Sequence, residues 1–417
     1  MTTTTGKREG FASLDDADPI VRELLNRAAT LPGPDDEGRV RALHELAREA
    51  TRAAAPATSA GATWETAWAR SSVGAWLATR RERRRYLLVE PGEGGLDSGV
   101  LPLGKVGMLA AGGGVGKTTS LLQLALCVAA GGGARWLRTF DVNEDGDVLV
   151  VLAEEEAEEA HRRVHEAAEL LGLTPAQRAR VAERLVVLPL AGEDVALTRT
   201  VDPHDKAGGL PVTELAGELV RKLESDKARS IDGTEREREW RLVVLDPLSR
   251  FAGADVETDN AAATRFVQVL ETLVKVRGTP TVLVGHHTTK ADRRESSSDD
   301  TGARGASGLS DGMRWHASMK SLPVVPGDYD VPPLVAFRVV KSNYTRAGIV
   351  RTLQRTTGGG LTVAAKGVVE AYEAAVLVER AKRKAEEKAA KDTATKAGKG
   401  NVTKASHDDA LDDEGIG

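Results

Sequence analysis

Residues Ala111-Gly112-Gly113-Gly114-Val115-Gly116-Lys117-Thr118 place a lysine and a hydroxyl directly behind a glycine-rich turn. The turn lies between an apolar, strand-like run, Val106 to Ala110, and a helix-forming run, Leu121 to Ala130. A strand that stops at such a turn and feeds straight into a helix aims several backbone N–H groups at one point, and the positive end of the helix dipole adds its field there. The chemistry on offer is phosphate binding. In the pattern G-x-x-x-x-G-K-[ST], the lysine reaches the β- and γ-phosphates and the hydroxyl binds Mg²⁺. Lys117 and Thr118 fill those roles, and Gly112, Gly113, Gly114, Val115, Gly116 and Thr119 complete the expected cradle for ATP. Ala111 stands where the pattern has its first glycine. The departure is small, because the close approach to phosphate belongs to Gly114 and Gly116.

Acidic groups follow at strand ends. Asp147 to Ala153 reads as a buried strand from its continuous β-branched run, and Glu154-Glu155-Glu156 comes directly after it. Ligands of open α/β sheets sit at the carboxyl ends of strands, so Glu154, first off the strand, is placed to polarise an attacking water as general base. Glu155 and Glu156 fit better as the acidic start of the next helix. Leu242 to Asp246 forms a second core strand, stopped by Pro247, whose terminal Asp246 can hold Mg²⁺ through a water. Thr279 to Gly285 reads as a third, ending in His286-His287-Thr288-Thr289-Lys290, where a polar group off the strand would lie beside the γ-phosphate and could report whether it is present. A zinc site on the paired histidines is disfavoured: neighbours on an extended chain point opposite ways, and no carboxylate or cysteine lies nearby at ligand spacing.

The elements that must position these groups repeat as strand and helix, which predicts an α/β fold with a mainly parallel sheet flanked by helices. Val335 to Val340 and Gly348 to Leu353, continued by Gly360 to Ala364, read as antiparallel edge strands. The 417 residues divide into a helical accessory segment with a linker (1–75), a core (76–368), and a charged helix with a tail too polar to order itself (369–417). Glu370 to Ala390 is the expected helix, and the tail starts at Lys391. Trp64, Trp68 and Trp76 fit hydrophobic cover for the core's edge, and Arg80 to Arg85 a solvated helix end. A net charge of −5 provides no global attraction to nucleic acid, so any such binding needs a local basic surface such as a ring lumen. The lone Cys127 excludes an internal disulfide and a cysteine-based zinc site, and suits a reducing compartment. No apolar run reaches membrane-spanning length and Met1 to Thr5 begins no signal peptide, so the expected location is cytoplasmic, away from membranes.

The order of these blocks resembles a known group. The loop at 111–118, Leu-Ala-Glu at 152–154, Leu-Asp-Pro-Leu-Ser-Arg-Phe at 245–251, His-His-Thr-Thr-Lys at 286–290, Arg-Gly-Ala-Ser at 304–307, Asp-Gly-Met-Arg-Trp at 311–315 and Lys-Ser-Asn-Tyr at 341–344 together look like RecA-fold ATPases of the hexameric plasmid-replication helicase (RepA) type. The likeness spans roughly residues 86–363. It implies a RecA-like core, ATP hydrolysis with Mg²⁺, and a homo-hexamer moving on single-stranded DNA, a replicative-type helicase of a mobile element or phage whose partners include a replication initiator or a primase. It also implies that an arginine from one subunit completes the site of the next. Arg304 and Arg314 match arginines of that pattern, with Arg314 the first choice, and His287 becomes the γ-phosphate sensor. A protein-remodelling ring, a recombinase-like filament and a slow nucleotide switch remain open beside the helicase reading.

Overall fold

The computed structural model describes residues 77, 83–92, 97–200, 211–230, 232–288, 307–325, 332–345 and 347–405. The expected N-terminal helices, the tryptophans at 64, 68 and 76, and Arg304 lie outside them. In chain order the elements are β1 (Tyr86–Glu90), β2 (Ser98–Pro102), β3 (Val106–Ala111), α1 (Lys117–Ala130), β4 (Arg135–Trp136), β5 (Phe140–Val142), β6 (Asp147–Leu152), α2 (Ala157–Leu171), α3 (Pro175–Arg184) and β7 (Leu185–Pro189). Next come α4 (Glu214–Ser225), β8 (Lys227–Arg229), β9 (Glu235–Glu237), β10 (Trp240–Asp246), the short α5 (Leu248–Phe251), α6 (Asn260–Leu273) and β11 (Thr281–His287). The described chain closes with α7 (Ser307–Gly312), β12 (Trp315–Ser321), β13 (Leu334–Ser342), β14 (Val350–Arg355), β15 (Leu361–Val363) and α8 (Lys366–Ala405).

Nine strands form the central sheet in the order β15-β14-β13-β12-β3-β11-β10-β6-β7. The six from β12 to β7 run parallel, and β13, β14 and β15 extend the β12 edge antiparallel. This is the expected RecA-like architecture. The parallel strands read as unbroken apolar runs because both faces are covered. On β10, Leu242 and Val244 point into one core while Val243 and Leu245 point into the other. On β6, Val148 and Val150 share the first core, and Leu149 and Val151 the second.

The helix α1 is apolar all round, and most of its residues are buried, because it is sandwiched between the sheet and a cover of α2, α3 and a small antiparallel sheet, β2-β1-β5-β4. Trp136 of that small sheet locks on by donating from Nε1 to the Ser120 carbonyl at 2.9 Å and meeting Phe337 edge-on at 5.4 Å. Cys127 lies wholly inside this cover, and burial pushes its thiol up to about 12, so it is inert. Side-chain caps start two of the other helices. Thr174 and Gln177 make a capping box at the start of α3, and Asp259 accepts from Ala261 N at 2.6 Å at the start of α6.

Several elements differ from the sequence reading. β11 continues through His286 and His287 instead of stopping at Gly285. The C-terminal helix begins at Lys366 and runs to Ala405, past the expected end at Ala390 and through Gly398 and Gly400, for which local propensity offers no reason. The acidic stretch at 406–417 lies outside the described residues. Among the described residues no helix is long and apolar enough to cross a membrane.

Candidate active site

The loop after β3 folds as its glycines require. Gly114 and Gly116 have φ of 76° and 104°, a region that side chains strain to enter. Ala111 is tolerated because it is still in the strand, fully buried and paired with His287 on one side and Met319 on the other. The first turn of α1 carries no acidic residue and no side-chain cap, which leaves its amides to an anion. Gly112, Gly114, Gly116, Lys117, Thr118 and Thr119 line a cavity of about 390 Å³ at this point. Val115 does not face the cavity: its side chain packs in the core and its amide donates to the Gly112 carbonyl at 3.3 Å. Gly113 likewise is absent from the cavity wall.

Asp246, at the end of β10, reaches under the loop. Lys117 Nζ donates to its Oδ1, and Thr118 Oγ1 donates to its Oδ2 at 2.6 Å. Both Lys117 and Asp246 are about as buried as the core, at 5% and 3% exposure. A lysine held this deep is neutralised by the carboxylate until another anion arrives, and the paired hydroxyl and carboxylate offer oxygens to a hard cation. The donor set therefore fits a triphosphate with Mg²⁺: amides and Lys117 for phosphate oxygens, Thr118 and Asp246 for the metal.

Two further predicted residues join the cavity. Glu154 follows β6 and accepts from Arg250 Nε at 3.1 Å, with His287 Nε2 4.0 Å from its other oxygen. His287 and the buried His286 alternate faces, as an extended chain dictates, so one enters the cavity and the other turns towards Glu257, 3.6 Å away. Glu155 is more than a helix start, because it too lines the cavity. Burial raises its carboxyl above the usual range, against the pull of Arg163, 3.3 Å away.

The remaining wall was missed by sequence reasoning. Glu159, Arg163 and Glu166 come from one face of α2, and Arg355, Gly358 and Gly359 from the turn joining β14 to β15. Arg355 Nη2 donates to the Gly114 carbonyl at 2.6 Å, and Gln123 exchanges hydrogen bonds with the backbone of Leu361, at 3.0 and 3.2 Å. The turn is thus fastened to the phosphate loop and to α1. The i, i+4 spacing of Glu159 and Arg163 was a readable signal for the α2 face. Arg355 had none, since its neighbour in space is 241 residues away in sequence.

Arg314 is not brought to this cavity. It immediately precedes β12, where its amide donates to the Val106 carbonyl at 2.9 Å, so it sits at the start of β3 while the loop follows the end. Five strand residues separate the two levels, roughly 16 Å. Arg314 therefore cannot touch phosphate held by its own subunit. Arg304 lies outside the described residues.

Three solved structures to which the chain is similar are distant in sequence. A crystal structure of the RadB recombinase is 17% identical, covers 63% of this chain and 92% of its own, and superposes with a TM-score of 0.38. A KaiC-like protein, PH0186, from Pyrococcus horikoshii OT3 is 13% identical, with coverages of 68% and 100% and a TM-score of 0.38. A further solved structure, an ATPase domain, is 11% identical, with coverages of 63% and 85% and a TM-score of 0.42. The sequence model of one family, described as AAA domain, matches residues 75–293. That span is just over half of the chain and contains the phosphate loop, Glu154, Asp246 and His287, so the chain belongs to this AAA domain family.

Proposed function

We propose that this protein is a Mg²⁺-dependent ATPase that assembles as a homo-hexameric ring and drives movement on single-stranded DNA, a replicative helicase of the RepA kind. The observation that carries the ATPase part is the convergence of Lys117 and Thr118 on buried Asp246 in one cavity with Glu154 and His287. Bound Mg²⁺ supplies charge neutralisation between the phosphates. Lys117 would leave Asp246 for the phosphates, Thr118 and Asp246 would hold the ion, and Glu154 would orient water and take its proton. Each carboxylate is paired with an arginine, Glu154 with Arg250 and Glu155 with Arg163, and Glu154 is preferred because it also lies beside His287. His287, beside Glu154, would report whether the γ-phosphate is present.

The ring part rests on Arg314. An arginine a full strand length from its own loop can serve hydrolysis only in a neighbouring subunit, where it would stabilise transition-state charge. Loss of Arg314 would then be complementable. Arg314→Ala and Glu154→Gln should each be nearly inactive, and mixing them should restore part of the activity, because some interfaces pair an intact Glu154 with an intact Arg314. A packing role for Arg314 would give a variant that no partner rescues.

The DNA part draws on the serine-rich basic segment at 293–304 and the Tyr344-Thr345-Arg346 turn as lumen candidates. Arg84 lies 3.9 Å over the Tyr344 ring, so that turn already carries a cation on an aromatic face. A replication initiator or a primase is the partner class that goes with this role. Strand displacement on forked DNA, run beside ATP hydrolysis with and without single strands, tests the reading. Unwinding with DNA-stimulated hydrolysis is the expected result. Hydrolysis indifferent to DNA would move the protein to the remodelling or switch class.

A further inference from the structure

Gly285 occupies a place in β11 where a side chain would be unremarkable by sequence. Its neighbours Val282, Leu283 and Val284 are all buried apolar residues, and its backbone is not in the left-handed region that favours glycine. Its pairing is regular, in line with Leu109 of β3 and just past the Leu245–Val284 pair with β10. Nothing in the backbone therefore calls for glycine. The reason lies on the face that Gly285 shares with Leu283 and His287, where the strand looks up at the phosphate loop.

A β-carbon placed on Gly285 would fall inside the van der Waals surface of Asp246 Oδ1, 2.8 Å from Asp246 Cγ and 2.9 Å from Lys117 Nζ. Both groups are buried and hydrogen-bonded, and the Asp246 carboxylate is held at its second oxygen by Thr118. The carboxylate cannot swing aside cheaply, since its displacement would leave a buried lysine uncompensated. The empty space at Gly285 is thus the space that the carboxylate and ammonium use.

We propose that Gly285 is a positioning residue: its missing side chain lets Asp246 sit deep enough to accept from Lys117 and Thr118 together, and so sets the height at which the cation is held. The inference about the cation rests on the ATPase reading; the steric inference rests on geometry alone. Every L-residue at this position, alanine included, displaces the carboxylate. Gly285 differs from Gly114 and Gly116, which are required by backbone conformation.

The test is a double-mutant cycle read by thermal unfolding, in which Gly285→Ala is made in the natural chain and in an Asp246→Ala background. Relief of overlap predicts that Gly285→Ala lowers the melting temperature of the natural chain and leaves that of the Asp246→Ala chain unchanged or higher. An equal drop in both backgrounds overturns the proposal. If Gly285→Ala alone does not fold, the double variant must fold for the proposal to stand, and its failure overturns it. In folded Gly285→Ala, the Mg²⁺ concentration for half-maximal hydrolysis should rise by about tenfold or more, while binding of a fluorescent ATP analogue in EDTA weakens by less than about threefold. An unchanged Mg²⁺ requirement overturns the link to the cation. Should the natural chain prove inactive while the thermal cycle behaves as expected, the ATPase reading fails and the steric role of Gly285 survives.

Discussion

Two buried aspartates at opposite ends of neighbouring strands are used in opposite ways. Asp147 opens β6 and Asp246 closes β10, at 1% and 3% exposure. Asp147 is saturated. Arg236 Nη1 and Nη2 donate to its two oxygens at 2.7 and 2.9 Å, Arg238 Nη1 donates at 3.0 Å, and the Glu239 amide donates at 2.7 Å. The arginines are themselves anchored, Arg236 to Glu183 and Arg238 to Asp226, each at 2.7 Å. The hydrogen bond from Arg236 to Asp147 holds that guanidinium above its ordinary range. Asp246, in contrast, is held by Lys117 and Thr118, two groups that a phosphate and a cation can claim. Burial of a carboxylate is thus no sign of function. What distinguishes the two is whether the partners can let go.

The largest effect is expected at Glu154, beside the phosphate loop. Glu154→Gln should bind ATP and hydrolyse it about 10²–10⁴-fold more slowly, because the amide keeps the shape and loses the base. Rapid-quench hydrolysis beside a nucleotide-binding titration checks this, and an inactive Glu155→Gln with an active Glu154→Gln would transfer the role by one residue.

At the other end, Asp147→Ala should cost about 3–5 kcal/mol of stability, since it strands two buried or half-buried guanidinium groups. The hydrolysis rate per folded molecule should be unchanged. Denaturant unfolding together with active-site titration measures both, and full stability with lost activity would erase the contrast.

A third buried polar group gives a pH test. His316 on β12 is 1% exposed with Nε2 unsatisfied, and burial first, then the nearby charges of His286 and Lys341, lowers its pKa to about 4. The folded state therefore disfavours the protonated form. Stability from this residue is complete above its ordinary value of 6.5 and is lost as pH falls towards 4, by roughly 3 kcal/mol over that window. His316→Phe should flatten the corresponding part of the stability–pH curve, and an unaltered curve would show that the histidine is not buried neutral. The smallest effect is expected at Arg355, where alanine removes one wall of the cavity and should weaken ATP binding by roughly three- to tenfold through a lost charged hydrogen-bond donor.

The convergence of the phosphate loop, Glu154, Asp246 and His287 on one cavity was legible because local patterns define each of them. Glycines at fixed offsets, a lysine and hydroxyl behind them, and acids at the ends of β-branched runs are all readable within a few residues. Asp147 was read only as the first residue of a strand, because its partners Arg236 and Arg238 arrive on a hairpin some 90 residues later. β12 was also missed. Trp315, Ala317 and Met319 alternate as a strand should, but His316 is buried between them and breaks the apolar pattern. The second wall of the cavity, with Arg355, Gly358 and Gly359, depends on two antiparallel strands folding back over the loop, which no local spacing announces.

The central claim is that the Lys117–Asp246 pair exists to be opened by a nucleotide. Phosphate release and melting temperature, measured on the same samples of the natural chain and Lys117→Ala with and without ATP and Mg²⁺, test it directly. The account predicts that the natural chain hydrolyses ATP and gains thermal stability from it, while Lys117→Ala stays folded, releases no phosphate above background and gains nothing. A folded Lys117→Ala that hydrolyses ATP at the natural rate would contradict it.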